Sequence, residues 1–291
     1  MGVSIFERIA IRLGRISNET ERGKRWQELF LRSVGHSWVS SRCAYRTLVE
    51  GLDGLTSLIP DRGVMLVANH RSFFDQYVMM TALLKGPTPW ARRFYFPVRS
   101  NFFYENPVGI ILNFAASAGT MYPPIFRQRG RMEMNKDALH RVNIFLRRSG
   151  TLVGMHPEGV RNKGYDPYQL LPAQYGVGQI ALQAKPIVIP VYINGLSNNI
   201  FYEIRANRIP AVRRESPVIT MFGSPLDYQS FENQSPRLSV YKKLAEFFNS
   251  EISKLSYRER ALRAQCASGT IADDDPRWLC NRRTARLTRV K

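Results

Sequence analysis

From about residue 50 the chain alternates short apolar, β-branched runs with stretches of helical length, and this alternation limits the folds open to it more than any other feature. The runs are residues 63–70 (GVMLVANH), 94–98 (FYFPV), 150–159 (GTLVGMHPEG), 186–195 (PIVIPVYING) and 216–226 (SPVITMFGSPL). Helical patterns cover 73–85, 135–148, 174–184 and roughly 235–254. Short runs bounded by Gly, Pro and Asn and separated by helices predict a βαβ series, hence an α/β fold with a mostly parallel sheet flanked by helices.

Ahead of that series, a helix over 4–17 would place Phe6, Ile9, Leu13 and Ile16 on one face, with Arg8, Arg12 and Arg15 beside it. That is the layout of a helix lying in a membrane interface, and the same spacing would also serve packing onto the protein's own domain. Residues 24–49 repeat the theme with Trp26, Phe30, Val34 and Trp38, which suit either a headgroup region or an aromatic core stripe. The expected division is an N-terminal amphipathic helical, membrane-docking region over 1–48, a main domain over 49–255 and a basic C-terminal tail over 256–291. The tail carries Arg277, Arg282, Arg283, Arg286, Arg289 and Lys291, a solubilising end or an arm for anionic lipid.

The N-terminal stretch is broken by Glu7, Arg8, Arg12 and Arg15, so neither a signal peptide nor a spanning helix is expected there. Residues 108–126 have nearly the length of a span but contain Asn113, two glycines and Pro123–Pro124, so they are expected to form a buried or membrane-dipping wall of a pocket. Cys43, Cys266 and Cys280 are far apart with no Cys-x-x-Cys pair, which points away from a disulfide framework or a zinc site and fits a reducing compartment. No two of the four histidines have ligand-like spacing, so no metal is expected.

Charge narrows the partners. Lys and Arg number 42 against 23 Asp and Glu, a net charge of +19, so the partner is expected to be acidic. Nucleic acid would fit the charge, but the chain lacks a basic–aromatic stacking stripe, a Cys/His finger and a recognition-helix motif, so no nucleic acid is expected.

Two clusters could do chemistry. In VANHRSFFDQY (67–77), His70 falls in the turn between a strand and the next helix, at the carboxyl end of a strand, where open α/β folds bind ligands. Asp75 could reach back to one imidazole nitrogen, leaving the other for a substrate. It could equally cap a helix begun by Ser72, in an approximate capping box. In MHPEGVRNKG (155–164), Glu158, Arg161 and Lys163 sit in a glycine-bounded loop after another strand, where they could bind a phosphate or be ordinary surface charges.

In order, NHRSFFD (69–75), HPEGVR (156–161) and PIVIPVYING (186–195) resemble three blocks of the glycerolipid acyltransferase superfamily, whose best-known members are lysophosphatidic acid acyltransferases. The resemblance covers about residues 50–225. It implies that His70 is the general base taking the proton of an acceptor hydroxyl as it attacks an acyl thioester, with Asp75 orienting the imidazole. Asn69, Glu158, Gly159 and Arg161 fall in the blocks as substrate-binding positions, Glu158 and Arg161 toward the glycerol phosphate. Arg127, in GTMYPPIFRQRGR, matches a further phosphate-contacting arginine, with Arg129 and Arg131 as competitors. Departures are His156 for the usual Phe, Val160 for the usual Thr, Gln174 for a common Lys, and an irregular spacing from Gly119 to Arg127.

The resemblance implies an O-acyltransferase with no cofactor beyond its donor, acyl-CoA or acyl-carrier protein. The expected acceptor is a lysophospholipid, foremost 1-acylglycerol 3-phosphate, with glycerol 3-phosphate, a lyso-aminolipid, or an inactive lipid-binding relative as alternatives. The expected location is an anionic membrane surface, peripheral or monotopic at the cytoplasmic face.

Overall fold

The computed structural model describes residues 4–282, except the side chains of His36, Arg129 and Met132. Arg283, Arg286, Arg289 and Lys291 of the expected tail, and the competing side chain of Arg129, therefore lie outside the described residues.

The strands are β1 (Thr47–Glu50), β2 (Val64–Ala68), β3 (Arg93–Tyr95), β4 (Val98–Arg99), β5 (Pro124–Ile125), β6 (Thr151–Met155), β7 (Ile187–Asn194) and β8 (Val218–Phe222). Six of them form one sheet in the order β1-β8-β7-β2-β6-β3, and β4 pairs with β5 apart from it. All neighbours in the large sheet are parallel except β7 and β8. β2 lies between β6 and β7 and every residue in it is buried, which is why it reads as an unbroken apolar run: a parallel sheet covered on both faces has no solvent side to alternate with. Pro190 is tolerated inside β7 because the antiparallel ladder with β8 begins only at Val191, paired with Phe222.

The helices are α1 (Ile5–Glu19), α2 (Glu21–Phe30), α3 (His36–Cys43), α4 (Asp75–Lys85), α5 (Ser100–Phe103), α6 (Pro107–Ser117), α7 (Met132–Leu146), α8 (Tyr175–Ala184), α9 (Ile200–Ala206), α10 (Pro210–Glu215), α11 (Gln229–Glu232) and α12 (Leu238–Ala267). α8 and α12 pack closely at Gly178, where a Cβ would fall 2.1 Å from the Tyr241 carbonyl oxygen. The fold is thus the α/β architecture expected, with an amphipathic N-terminal helix.

The boundaries differ from expectation at the C-terminal side. The limit expected at 255 falls inside α12, which continues to Ala267. Beyond it Trp278 and Leu279 are buried, and the segment runs along β1, with the Leu279 N–H on the Thr47 carbonyl at 2.8 Å and the Val49 N–H on the Arg277 carbonyl at 2.8 Å. Arg277 and Arg282 of the expected basic tail are held by carboxylates, Arg277 by Asp275 and Glu50, and Arg282 by Asp53. The described part covers a sheet edge that would otherwise be open.

The N-terminal helices are inside out. On α1 the residues facing the protein are Glu7, Ala10, Gly14, Ser17 and Asn18, while Ile5, Phe6, Ile9, Leu13 and Ile16 face outward. On α2 the buried side chains are Lys24 and Gln27, and Leu29 is 69% exposed. Polar bonds replace an apolar seam. Asn18 donates to the Gly119 carbonyl at 2.8 Å, Gln27 to the Ala118 carbonyl at 2.9 Å, and Arg131 meets Glu7 at 2.7 Å. The Lys24 ammonium has three acceptors, Asn18 Oδ1, Gln27 Oε1 and the Phe94 carbonyl, one for each proton.

Residues 108–126 divide between α6 and the β5 region. α6 stops at Ala118 and Gly119, both in the left-handed region with φ of 52° and 82°. Among the described residues no helix is long and apolar enough to cross a membrane. α6 also buries polar Asn113 while Val108 and Ile111 face outward.

Candidate active site

α4 begins at Asp75, so His70 lies in the turn between β2 and α4. The Asp75 carboxylate points back into that turn, where its Oδ2 accepts from His70 Nδ1, the Arg71 N–H and the Ser72 N–H, each at 2.9 Å. Orienting the imidazole and tying down the turn are therefore done by a single oxygen. Oδ1 is buried without a hydrogen-bond partner among the described residues. Ser72 does not begin the helix as a cap for its third residue; its hydroxyl accepts the Phe74 N–H at 3.1 Å and donates to the Ser197 carbonyl at 2.6 Å, linking the turn to the loop after β7.

An ionised carboxylate only accepts, so His70 Nδ1 carries the proton and Nε2 presents its lone pair. Burial pushes the His70 imidazole down to about 3, and the positive charges of Arg161 and Arg99 push the same way. Burial pushes Asp75 up to about 6, opposed by His156 and by the backbone donors of Ser72 and Arg71. At neutral pH the pair is a neutral imidazole on a carboxylate, the state a base requires.

Two residues expected to meet substrate are engaged with the backbone. Glu158 is 1% exposed; its Oε1 accepts the His70 N–H at 2.7 Å and its Oε2 the Leu171 N–H at 2.8 Å. Burial raises its carboxyl above the ordinary range, with the same two backbone donors opposing. Asn69 is fully buried and pairs both ends of its amide with Ile193, donating to the carbonyl at 2.9 Å and accepting the N–H at 2.7 Å. Both hold the loop that carries His70. Gly159 serves the turn itself: its φ is +65°, and a Cβ there would lie 2.9 Å from Gln174 Cγ.

The arginines behave differently. Arg127 donates to the Gly159 carbonyl at 2.9 Å, and Arg161 to Asn198 Oδ1 at 2.6 Å. Arg99, at the end of β4, was not singled out from the sequence, although it follows the apolar run 94–98 directly, at the strand end where ligands gather. Burial lowers its guanidinium, and the charges of Arg127 and Arg161 add to this, so the three cations share one region next to His70. Among the described residues none of the three has a carboxylate partner. Arg131 is turned away onto Glu7 and Glu105. Asn198, which also accepts the Phe73 N–H at 3.1 Å, was likewise missed.

His156 lies flat against His70, the ring centroids 4.0 Å apart and the planes 13° from parallel. Ligand atoms of His70, Asp75 and His156 lie within 4.8 Å of one another, a spacing compatible with a divalent cation. In-plane lone pairs of nearly parallel rings run side by side instead of converging, however, and both Nδ1 atoms face oxygen acceptors. As arranged, the cluster is a hydrogen-bonded one.

The family model described as Acyltransferase matches residues 47–194, half of the chain. The chain belongs to the acyltransferase family. The match runs from β1 through β7 and includes every site residue named above except Ser197 and Asn198. In this acyltransferase His70, the loop 156–164 and Pro190 belong to adjacent parts of one sheet: His70 follows β2, the loop follows β6 and Pro190 lies in β7. Beside them, an apolar cavity of about 80 Å³ opens between α3, α4, α6 and α9, lined by Trp38, Phe74, Tyr77, Leu112, Leu196 and Ile204. The imidazole with a free Nε2 lone pair, the carboxylate on its Nδ1 and the guanidinium groups of Arg99 and Arg161 lie together at this end of the sheet.

Proposed function

We propose that this acyltransferase moves a fatty acyl group from acyl-CoA or acyl-carrier protein to the hydroxyl of a lysophospholipid, 1-acylglycerol 3-phosphate, giving phosphatidic acid. The observation that carries the reading is the His70–Asp75 contact of 2.9 Å near Arg99 and Arg161, with Arg127 close to both, three guanidinium groups that have no carboxylate partner among the described residues. His70 Nε2 takes the hydroxyl proton while the acceptor oxygen attacks the thioester carbonyl. The tetrahedral intermediate then expels the sulfur, which leaves as a thiol carrying that proton, so no acyl-enzyme is required. Arg99, Arg127 and Arg161 bind the acceptor phosphate.

The same reading puts the protein at the anionic, cytoplasmic face of a membrane as a peripheral protein. Its support is the reversed pattern of α1 and α2, in which polar side chains face the domain and apolar ones face outward, together with the exposed Val108 and Ile111 of α6. The apolar lining of the cavity between α3, α4, α6 and α9 suits a short part of an acyl chain.

The test is thiol release from acyl-CoA by the purified full chain, with 1-acylglycerol 3-phosphate in anionic vesicles, beside His70→Ala and a control without acceptor. Acceptor-dependent release with phosphatidic acid as product, lost in His70→Ala, supports the reading. Release with glycerol 3-phosphate or a lyso-aminolipid alone would replace the acceptor. Release from no donor, acyl-carrier protein included, and to no acceptor would leave a lipid-binding relative.

A further inference from the structure

His156 stands where the family's second block usually has phenylalanine, and the structure gives the histidine something a phenylalanine could not do. The register pairs Val67 of β2 with Met155 of β6, so the next positions facing the β2 end are His156 and Pro157. Pro157 has no N–H, and the ladder has no backbone donor to offer there. The His156 side chain supplies one: Nδ1 lies 3.0 Å from the Ala68 carbonyl and 2.9 Å from the Asn69 carbonyl, the two residues immediately before His70. Carbonyls only accept, so this nitrogen carries the proton.

The opposite nitrogen, Nε2, is buried with no hydrogen-bond partner among the described residues. An unpartnered buried acceptor is costly, and a phenylalanine would avoid that cost while still stacking. Burial, with the neighbouring His70 next, pushes His156 down to about 3, while Asp75 opposes, so the ring is neutral at neutral pH. A neutral ring face 4.0 Å from His70 can stabilise the imidazolium that forms during proton abstraction without adding a competing charge.

We propose that His156 is a positioning residue for the base: its Nδ1–H clamps the Ala68 and Asn69 carbonyls, and its ring lies flat on His70, so that the imidazole keeps Nδ1 on Asp75 and Nε2 toward the acceptor. The proposal rests on the reading of His70 as the base. It separates two contributions, a tether to the backbone and a stacked ring, and these can be removed one at a time. His156→Phe keeps a ring and loses the donor. His156→Asn keeps an amide donor near the Nδ1 position and loses the ring.

The experiment measures kcat and KM for both substrates in the full chain, together with 15N spectra of histidine-labelled protein, in which the four histidines can be assigned by substitution. Each variant should lose about 10- to 100-fold in kcat. KM for acyl-CoA and for the lysophospholipid should change less than about twofold, because no substrate contact is removed. In the spectra, wild-type His70 should be held as the Nδ1–H tautomer, and each variant should shift that population toward Nε2–H. Wild-type kcat in either variant, or a loss expressed in KM alone, would overturn the proposal. The spectra do not depend on turnover: if no acceptor is acylated, the functional reading fails by itself, while an unchanged His70 tautomer in both variants would sink the role of His156.

Discussion

The Glu158 carboxylate and the His70 main chain are joined directly, Oε1 accepting the His70 N–H at 2.7 Å across 88 residues of sequence. With the Asn162 N–H on the His70 carbonyl at 2.7 Å, the peptide groups on both sides of His70 are held by the loop after β6. Glu158→Gln keeps one acceptor and turns a donor toward the other amide. Hydrogen bonds to a charged acceptor are worth about 1.5–3 kcal/mol, so stability should fall by roughly that amount with kcat falling alongside. Denaturant unfolding beside steady-state kinetics checks it; a variant with normal stability and only a raised acceptor KM would return Glu158 to substrate contact.

Asp75→Asn separates activity from stability. Removing the carboxylate should reduce kcat by three to four orders of magnitude, as expected when a histidine loses the acceptor that sets its tautomer. The folded Asp75 pKa, about 6, is raised above its unfolded value near 3.8, so the folded state binds the proton more tightly and charging the group costs stability above about pH 6. The variant should therefore unfold at or above the wild-type Tm at pH 8, and the difference should shrink as pH falls toward 4. A markedly lower Tm at pH 8 would refute this.

Wild-type turnover should also fall on acidification, with a midpoint near pH 6, as Asp75 takes up its proton and ceases to support the His70 imidazolium. A kcat profile flat down to pH 5 would separate Asp75 from the chemistry.

Arg99→Ala, Arg127→Ala and Arg161→Ala should each raise the acceptor KM about 10- to 100-fold, the value of one charge-assisted contact to phosphate, with the donor KM little changed. The effect should vanish for an acceptor without phosphate. Equal losses with both kinds of acceptor would mean the arginines hold the loops and not the ligand.

The N-terminal helices should respond in opposite ways on their two faces. Leu29→Glu or Ile9→Glu should abolish sedimentation with anionic vesicles while changing stability by less than about 0.5 kcal/mol, because those side chains face outward. Glu7→Ala removes the nearer of the two carboxylates on the largely buried Arg131, leaving Glu105 at 3.7 Å, and should cost about 1–3 kcal/mol. Vesicle binding unaffected by the outward substitutions would remove the membrane surface from the reading.

By itself the sequence determined what depends on local pattern. Unbroken apolar runs such as Val64–Ala68 can be satisfied only in a covered sheet, and the strand–turn–helix context places His70 at a strand's carboxyl end with Asp75 in the first helical turn. Helical spacing likewise put Phe6, Ile9, Leu13 and Ile16 on one face. Tertiary structure decided which partner each polar atom finds. Glu158 and Asn69 carry the residue types of a ligand site, yet their atoms are taken by amides of Leu171, His70 and Ile193, up to 124 residues away, because buried backbone groups must be paired and no spacing rule says by whom. Arg99 joins Arg127 and Arg161, and His156 closes on the carbonyls before His70, only once β2, β6 and the segments flanking them are side by side. A periodicity reports which face is apolar; what that face meets, and which donor completes a broken ladder, follows from chain segments that become neighbours only on folding.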